Sequence, residues 1–134
     1  LALRMKQHNN NAAKVVEFLK SHKSVKKVIY STNYDGEILA RAKKYLKGGD
    51  GALVGIDLGT VEAGAKFIDK LKMLYHVANI GDARSLAIHP ASTTHSQLSP
   101  EEQLAAGVTP GYVRLSIGIE HPDDIIADIK QALA

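Results

Sequence analysis

Cysteine and tryptophan are absent from this sequence of 134 residues, and phenylalanine occurs only twice. Without cysteine the chain can form neither a disulfide framework nor a thiolate metal site. No apolar run reaches the roughly 18 residues that a membrane-spanning helix requires, and no signal-peptide pattern opens the chain. We therefore expect a cytoplasmic protein with no membrane partner.

A strong net charge of either sign is also lacking. Seventeen lysines and arginines stand against 14 aspartates and glutamates, which gives a net charge of only +3. The basic residues are scattered and do not alternate with aromatic residues, so nucleic-acid binding is not expected. Hydrophobic residues make up 45% and charged residues 23% of the chain, as in ordinary globular domains. The length fits a single domain, residues 1–134, that can bury its own core.

The first element that the sequence predicts is a long helix over about residues 1–22. Five apolar residues and one histidine recur at alternating intervals of four and three, which keeps them on one side of a helix. These residues are Leu1, Met5, His8, Ala12, Val15 and Leu19. Because asparagines at positions 9, 10 and 11 are poor helix formers, the alternative is a break at His8 and a new helix capped by Asn11. The unbroken apolar stripe favours one continuous helix.

The rest of the chain predicts alternating strands and helices. Strands are expected at residues 25–31, 52–58 and 75–80, and the nearly continuous apolar run of the second predicts burial on both faces. Asp35, Thr60, Ser99 and Pro122 are typical of helix starts. With the two strands described next, the order is α-β-α-β-α-β-β-α-β-α. The predicted fold class is α+β, a two-layer arrangement of a four- to five-stranded sheet with helices on one face.

Two segments place polar side chains on predicted strands. Residues 112–120 alternate in polarity, which predicts a half-buried strand with Arg114 on its less apolar face. A shorter strand is predicted at residues 85–89, with Ser85 and Leu86 on opposite faces. If these strands are neighbours with aligned faces, Ser85 and Arg114 converge. A guanidinium fork beside a hydroxyl suits a small carboxylate ligand, whereas the alternative is an arginine that pairs with a neighbouring Asp or Glu.

Six histidines raise the question of a metal site. His89 and His95 flank a polar turn, but no carboxylate cluster lies at ligand spacing beside them, so no metal is expected. His95 and Thr94 are instead expected to hold the turn through hydrogen bonds to the backbone. The glycine-rich run at residues 48–51 lacks the lysine of a phosphate loop and precedes a strand, which favours a helix end and a turn.

Together these segments resemble a known family. The Ser-Leu pair at 85–86, the His-Pro-Ala-Ser-x-Thr-His run at 89–95 and the Arg-Leu-Ser-x-Gly-Ile-Glu strand at 114–120 occur in this order in the pyridoxal-phosphate (PLP) enzymes of cysteine and methionine metabolism. The resemblance covers essentially the whole chain. It implies a carboxyl-terminal domain with a mainly antiparallel sheet, in an enzyme that assembles as a homotetramer. It also implies that Arg114 binds the α-carboxylate of an amino-acid substrate and that Ser85 assists at the same group.

Position 84 narrows the resemblance within the family. Synthases and lyases of the transsulfuration type commonly carry Glu immediately before the Ser-Leu pair, whereas residues 81–86 here read Gly-Asp-Ala-Arg-Ser-Leu. This run is similar to that of the O-acetylhomoserine sulfhydrylases, which replace the acetyl group of O-acetylhomoserine with sulfide to make homocysteine. The activity of a cystathionine gamma-synthase or a methionine gamma-lyase is the alternative within the family.

The residues that hold the cofactor in this family are missing from the sequence. A PLP enzyme needs a lysine for the Schiff base, an acidic partner for the pyridinium nitrogen and donors for the phosphate, and no family-like Ser-x-Thr-Lys segment is present. We expect the chain to be the carboxyl-terminal part of a larger enzyme, inactive alone, with PLP bound by the amino-terminal part. The alternative is a free-standing, non-catalytic α/β module that binds a small carboxylate or a protein partner. Part of an enzyme should expose an apolar sheet face for its missing domain, whereas a free-standing module should have covered or charged that face.

Overall fold

The computed structural model describes all residues 1–134 and contains five α-helices, two short 3-10 helices and five strands. The helices are α1 Ala2–Lys20, α2 Gly36–Tyr45, α3 Val61–Lys70, α4 Pro100–Ala105 and α5 Pro122–Ala132. The strands are β1 Lys27–Ile29, β2 Leu53–Asp57, β3 Tyr75–His76, β4 Leu86–Ile88 and β5 Tyr112–Ser116. The predicted order of helices and strands is confirmed. None of the helices combines the length and the apolar character that crossing a membrane requires.

The five strands form one sheet in the order β1-β2-β5-β4-β3. Three of the four neighbouring pairs are antiparallel, and only β3 and β4 run parallel. In the central strand β5, Arg114 lies opposite Gly55 of β2 and Ile88 of β4. Residues directly opposite each other in antiparallel strands share a face of the sheet, so this register determines the neighbours of Arg114. The predicted mainly antiparallel sheet is confirmed.

The hydrophobic core lies on one face of this sheet, where α1, α3 and α5 cover it. The strands contribute Val54, Ile56, Val113 and Leu115, which are fully buried. The helices contribute, among others, Ala12, Val15, Leu19, Phe67, Ile125 and Ile129. Because α2 buries only Ala42 and α4 buries none of its residues, neither adds to this layer. Helices therefore cover one face of the sheet, as predicted.

Helix α1 runs without a break through its three asparagines. The predicted continuous helix is confirmed, and the alternative start at Asn11 is wrong. Asn11 is 1% exposed, and its amide donates to the carbonyls of Gly118 and Glu120 at 3.0 and 2.8 Å. These long-range hydrogen bonds offset the poor helix propensity of asparagine. The apolar stripe is less complete than predicted, because Leu1 and Met5 at its start are exposed.

The helix starts follow the predicted chemistry at two positions. The Thr60 hydroxyl accepts a hydrogen bond from the Ala63 N–H at 3.1 Å. The Ser99 hydroxyl accepts from the Glu102 N–H, while the Glu102 carboxylate accepts from the Ser99 N–H at 2.8 Å, which completes a capping box. Both predicted caps are confirmed. Asp35 occupies the cap position of α2 but makes no capping hydrogen bond with its side chain.

Several strand predictions need correction. The strand predicted at residues 25–31 contains only Lys27–Ile29. The strand predicted at residues 75–80 contains only Tyr75–His76, and the chain beyond it is exposed. Strand β5 ends at Ser116, because the following residues turn to form hydrogen bonds outside the ladder. Strand β2 is not covered on both faces: Leu53 is 41% exposed, since the three core helices lie on the opposite side of the sheet.

A buried carboxylate braces the segment between α3 and β3. Asp128 of α5 is 7% exposed and accepts hydrogen bonds from the backbone N–H groups of Lys72, Met73 and Leu74 at 2.9, 2.8 and 3.0 Å. Burial alone would raise the pKa of Asp128. The three backbone bonds and a further one from the Gln131 side chain outweigh burial and hold this pKa below its ordinary value. The charged form of Asp128 is therefore part of the folded structure.

Candidate functional site

The face of the sheet that lies opposite the core helices, here called the open face, carries Arg114. Side chains alternate between the two faces of a strand. Since Val113 and Leu115 are fully buried in the core, Arg114 and its alternate neighbours Tyr112 and Ser116 belong to the open face. This is the face that the sequence predicted for Arg114.

Arg114 and Tyr112 line a depression of about 480 Å³ at the open face. The turn that follows β4 borders this depression on one side, and the segment after α4 borders it on another. The other lining residues are Ala78, Ile88, Pro90, Thr94, His95, Ala106, Gly107 and Val108, and none of them is a lysine. A concave site of this size with a few polar groups is typical of small-molecule binding.

No carboxylate of the chain pairs with Arg114. The contacts of ion-pair type all involve other residues. The hydrogen bond of Arg114 runs from Nη2 to the carbonyl oxygen of Asn79 at 3.4 Å and is exposed to solvent. The alternative in which Arg114 serves as the partner of a neighbouring Asp or Glu is therefore wrong. A guanidinium with most of its donors free, at the edge of a depression, is suited to a planar anion.

Tyr112 forms a wall of the depression beside Arg114. A Cβ atom at Gly55 would lie 2.7 Å from Cε2 of Tyr112 and 3.0 Å from Cβ of Ile29, so the tyrosine ring occupies space that any other residue at position 55 would fill. Burial raises the pKa of the Tyr112 hydroxyl, and the nearby positive charge of Arg114 opposes that rise. The absence of a side chain at Gly55 therefore leaves the space that the Tyr112 ring occupies.

Ser85 does not join Arg114 at the depression. It is fully buried and immediately precedes β4, in which Leu86 and Ile88 lie opposite Ser116 and Arg114. Because side chains alternate, Leu86 and Ile88 share the open face with Arg114, and Ser85 faces the core. The predicted convergence of the Ser85 hydroxyl with Arg114 is therefore wrong. The two strands are neighbours, but their register places Leu86 and Ile88, and not Ser85, on the same face as Arg114.

Ser85 forms hydrogen bonds with Glu120 instead. Its N–H donates to Oε1 of Glu120 at 2.6 Å, and its hydroxyl donates to Oε2 at 2.8 Å. The same hydroxyl accepts from the N–H of Gly118 at 2.8 Å. A Cβ atom at Gly118 would collide with the Glu120 carboxylate and with the carbonyl oxygen of Ala83, so this approach requires glycine. We call Ser85, Gly118 and Glu120 the serine-glutamate lock; strand periodicity alone did not predict it.

Polar side chains of α1 support the lock from the helix side. Beyond the two bonds of Asn11, the buried ring of His8 makes a 2.6 Å hydrogen bond from Nδ1 to the carbonyl oxygen of Ile117. A carbonyl only accepts, so the proton lies on Nδ1, and Nε2 is left to accept from Nε of Arg4 at 3.4 Å. Arg4 also donates to the carbonyl of Gly81. Helix α1 therefore bonds both to the segment before Ser85, at Gly81, and to the residues after β5, at 117–120.

Side-chain hydrogen bonds also hold the turn that follows β4. His89 is buried, and its Nε2 donates to the carbonyl of Pro110 while Nδ1 accepts from the Ser92 hydroxyl, each at 2.8 Å. Thr94 and His95 bond to each other at 2.9 Å, so the prediction that their side chains hold the backbone is wrong. No group of three or more His, Asp or Glu side chains is arranged to hold a metal ion.

Position 84 lies outside the lining of the depression. Arg84 donates two hydrogen bonds to the Asp82 carboxylate, at 3.2 and 3.0 Å, and its guanidinium carbon lies 4.7 Å from the centre of the Tyr75 ring. The hydrogen bonds from Arg84 lower the pKa of Asp82 to about 2. The guanidinium of Arg84 therefore already pairs with a carboxylate of the chain, whereas that of Arg114 does not.

Comparison with known proteins gives consistent matches along the chain. The model of the family described as Cys/Met metabolism PLP-dependent enzyme matches residues 1–134. An O-acetyl-L-homoserine sulfhydrylase of Leptospira meyeri is 53% identical over 99% of this chain and 30% of the relative. A homocysteine synthase of Schizosaccharomyces pombe is 45% identical over 99% of this chain and 31% of the relative. The chain thus spans about a third or less of the length of these curated relatives.

A solved structure has the same fold. The crystal structure of a putative O-acetylhomoserine (thiol)-lyase from Campylobacter jejuni superimposes with a TM-score of 0.90 and 45% identity. The match covers 98% of this chain and 32% of that protein, which carries N'-pyridoxyl-lysine-5'-monophosphate.

Proposed function

The chain belongs to the Cys/Met metabolism PLP-dependent enzyme family, and from that membership we propose that it is the carboxyl-terminal, substrate-binding part of an O-acetylhomoserine sulfhydrylase. Such an enzyme makes homocysteine from O-acetylhomoserine and sulfide. Relatives with this name or the name homocysteine synthase, at 45 to 53% identity, support this branch of the family. Because the chain spans only about 30% of their length, the activity is proposed for a longer protein that contains it.

The observation that carries this proposal is the unpaired guanidinium of Arg114 at a depression of about 480 Å³. An amino-acid substrate brings a carboxylate, whose two oxygens match two parallel N–H donors of arginine. Arg114 is partly exposed and holds only one long hydrogen bond, to the Asn79 carbonyl. Its other N–H donors are therefore available to a carboxylate. We assign Arg114 the binding of the substrate α-carboxylate.

The neighbours of Arg114 shape the site around the bound substrate. Tyr112 limits the depression on one side, and Ile88 and Pro90 provide apolar surface that excludes water from the ligand. We propose only an indirect role for Ser85, because its hydroxyl already donates to Glu120.

PLP is the cofactor of this family, and when bound it supplies the electron sink that chemistry at amino-acid carbons requires. The depression contains no lysine, so the residues of this chain fit the anionic end of the substrate and not the attachment of the cofactor. We propose that the part of the longer protein outside this chain holds PLP. The pyridoxyl-lysine group of the Campylobacter jejuni protein supports this division.

Exposed apolar side chains at and beside the open face support the same division. Leu53, Val77 and Ile80 are 41%, 46% and 57% exposed. With Met5 and Ser116, Leu53 and Ile80 border a second, mainly apolar hollow of about 350 Å³. An uncovered apolar surface of this kind favours part of a larger enzyme over a free-standing module. Inactivity of the isolated chain, a homotetramer for the longer protein and a cytoplasmic location stay predictions.

The direct test is an assay of the longer protein loaded with PLP. O-acetylhomoserine, O-succinylhomoserine, cystathionine and methionine are supplied separately, the first two with and without sulfide, and homocysteine and keto-acid products are measured. We expect homocysteine from O-acetylhomoserine only when sulfide is present. Preferred turnover of O-succinylhomoserine or cleavage of methionine would instead assign the protein to another branch of the family.

A further inference from the structure

The segment of residues 77–84 connects β3 to β4 beside the site, and we call it the strap. It contains no helix or strand, and residues 77–81 are exposed. Its residue Ala78 lines the depression, and the carbonyl of Asn79 accepts the hydrogen bond of Arg114. The strap therefore supplies the protein acceptor that the guanidinium of Arg114 contacts.

The serine-glutamate lock anchors the strap at the end that leads into β4. The carbonyl of Ala83 accepts from the Ile119 N–H at 2.8 Å, and the next residue but one, Ser85, gives both of its donors to Glu120. The Glu120 carboxylate is therefore the side chain after β5 that accepts both Ser85 donors, beside the backbone N–H groups of Gly118 and Ile119, which bond to the Ser85 hydroxyl and the Ala83 carbonyl. Arg114 lies on β5 itself, so the lock connects both partners of the Asn79 contact.

We propose that Glu120 is a positioning residue for Arg114, and this inference rests on the function proposed above. By holding Ser85 through two hydrogen bonds, Glu120 keeps the strap at the distance from β5 at which Asn79 orients the guanidinium. An arginine side chain has many rotamers, and fixing one of them in advance reduces the entropy lost when the carboxylate binds. Glu120 affects substrate binding in this way without touching the substrate.

The chemistry of the lock requires a carboxylate at position 120. Both oxygens of Glu120 accept, one from a backbone N–H and one from a hydroxyl. Glutamine has one accepting oxygen and one donating NH₂ group, so one of the two Ser85 donors would then face another donor. Glu120→Gln therefore breaks half of the lock with almost no change in size. Ser85→Ala removes only the hydroxyl and leaves the backbone bond in place.

The test uses the longer, PLP-loaded protein with the variants Glu120→Gln, Ser85→Ala and Arg114→Ala, and the double variant of Glu120→Gln with Arg114→Ala. Glu62→Gln is the matched control, since Glu62 is exposed in the first turn of α3. We expect Glu120→Gln to raise the KM for O-acetylhomoserine roughly three- to tenfold while kcat changes less than about twofold. Ser85→Ala should cause a smaller rise, and Glu62→Gln none. In Glu120→Gln, backbone hydrogen exchange should become faster than in the wild type in peptides that cover residues 77–85.

The double variant separates positioning from a general loss of structure. If Glu120 acts through Arg114, Glu120→Gln should add nothing to the KM of Arg114→Ala, because coupled residues are not additive. The inference would be overturned if Glu120→Gln left KM unchanged, or if it raised KM by the same factor in the wild type and in Arg114→Ala. Either result would leave the carboxylate role of Arg114 intact. If Arg114→Ala itself leaves KM unchanged, the proposed site fails and the inference fails with it. Should Glu120→Gln not fold, the comparison is made with Ser85→Ala in both backgrounds.

Discussion

Replacing Arg114 with alanine removes the positive charge and the guanidinium donors that the proposed site offers to a carboxylate. A hydrogen bond to a charged group contributes about 1.5 to 3 kcal/mol, and about 1.36 kcal/mol corresponds to a tenfold change. The full range corresponds to a rise in KM of about 10- to 160-fold. Because Arg114 is partly exposed, water competes with the ligand, and we expect the lower part of that range, about 10- to 40-fold.

The assay compares KM and kcat of the PLP-loaded protein for O-acetylhomoserine at saturating sulfide. Arg114→Lys should lie between the wild type and Arg114→Ala, because lysine keeps the charge but lacks the planar fork. Arg41→Ala is the control, since Arg41 is exposed on α2 and pairs with Glu37. The absorbance of bound PLP should be unchanged in all variants. A KM for Arg114→Ala equal to that of Arg41→Ala would remove Arg114 from the site.

Two further substitutions test the frame around the site. Asp128→Asn should lower the free energy of unfolding by about 1.5 to 3 kcal/mol at pH 7 in urea titrations, because the charged acceptor of three backbone bonds is lost. The folded pKa of Asp128 lies below the unfolded value of about 3.9. The wild type is therefore more stable than Asp128→Asn by the full amount above about pH 3.9, and it loses this advantage as pH falls through the folded pKa. An equal difference in unfolding free energy between the two proteins at pH 7 and at pH 2 would refute this account. Gly55→Ala should cost about 1 to 3 kcal/mol and displace the Tyr112 ring, because the new Cβ atom lies 2.7 Å from the present position of Cε2. Unchanged unfolding and an unchanged near-ultraviolet circular dichroism spectrum would show that the ring does not depend on Gly55.

Local chemistry made much of the fold predictable from the sequence. A cap such as Thr60 or Ser99 acts on an N–H group three residues away, so the pattern and its effect lie in the same few residues. The apolar stripe of α1 likewise determines one buried side, even through three unfavourable asparagines. These signals do not depend on how the elements later pack.

The relation between Ser85 and Arg114 was not predictable in the same way. Alternation shows which residues of one strand share a face, but it does not give the register between two strands. A shift of one residue moves every side chain to the other face. The observed pairing of Ile88 with Arg114 places Ser85 on the core side, and only the packed sheet determines that pairing.

Long-range polar contacts could not be predicted from the sequence either. Asn11 bonds to the carbonyl of a residue 107 positions away, Asp128 reaches 55 positions back to Met73, and Glu120 reaches 35 positions back to Ser85. Each of these side chains, taken alone, is typical of an exposed surface. The burial of Asn11 and Asp128 is favourable because specific backbone acceptors or donors meet their side chains in the folded chain, and the partly buried Glu120 likewise meets the backbone N–H and the hydroxyl of Ser85.

Both outer strands of the sheet are short, three residues in β1 and two in β3. Unpaired N–H and C=O groups along a long outer strand are a template on which further chains add and form aggregates. Here that template is nearly absent at both edges, and Lys27 adds a charge at the β1 edge. We therefore expect this chain to resist fibril growth by edge-to-edge strand addition, so that any self-association proceeds through apolar surface contacts that dilution reverses.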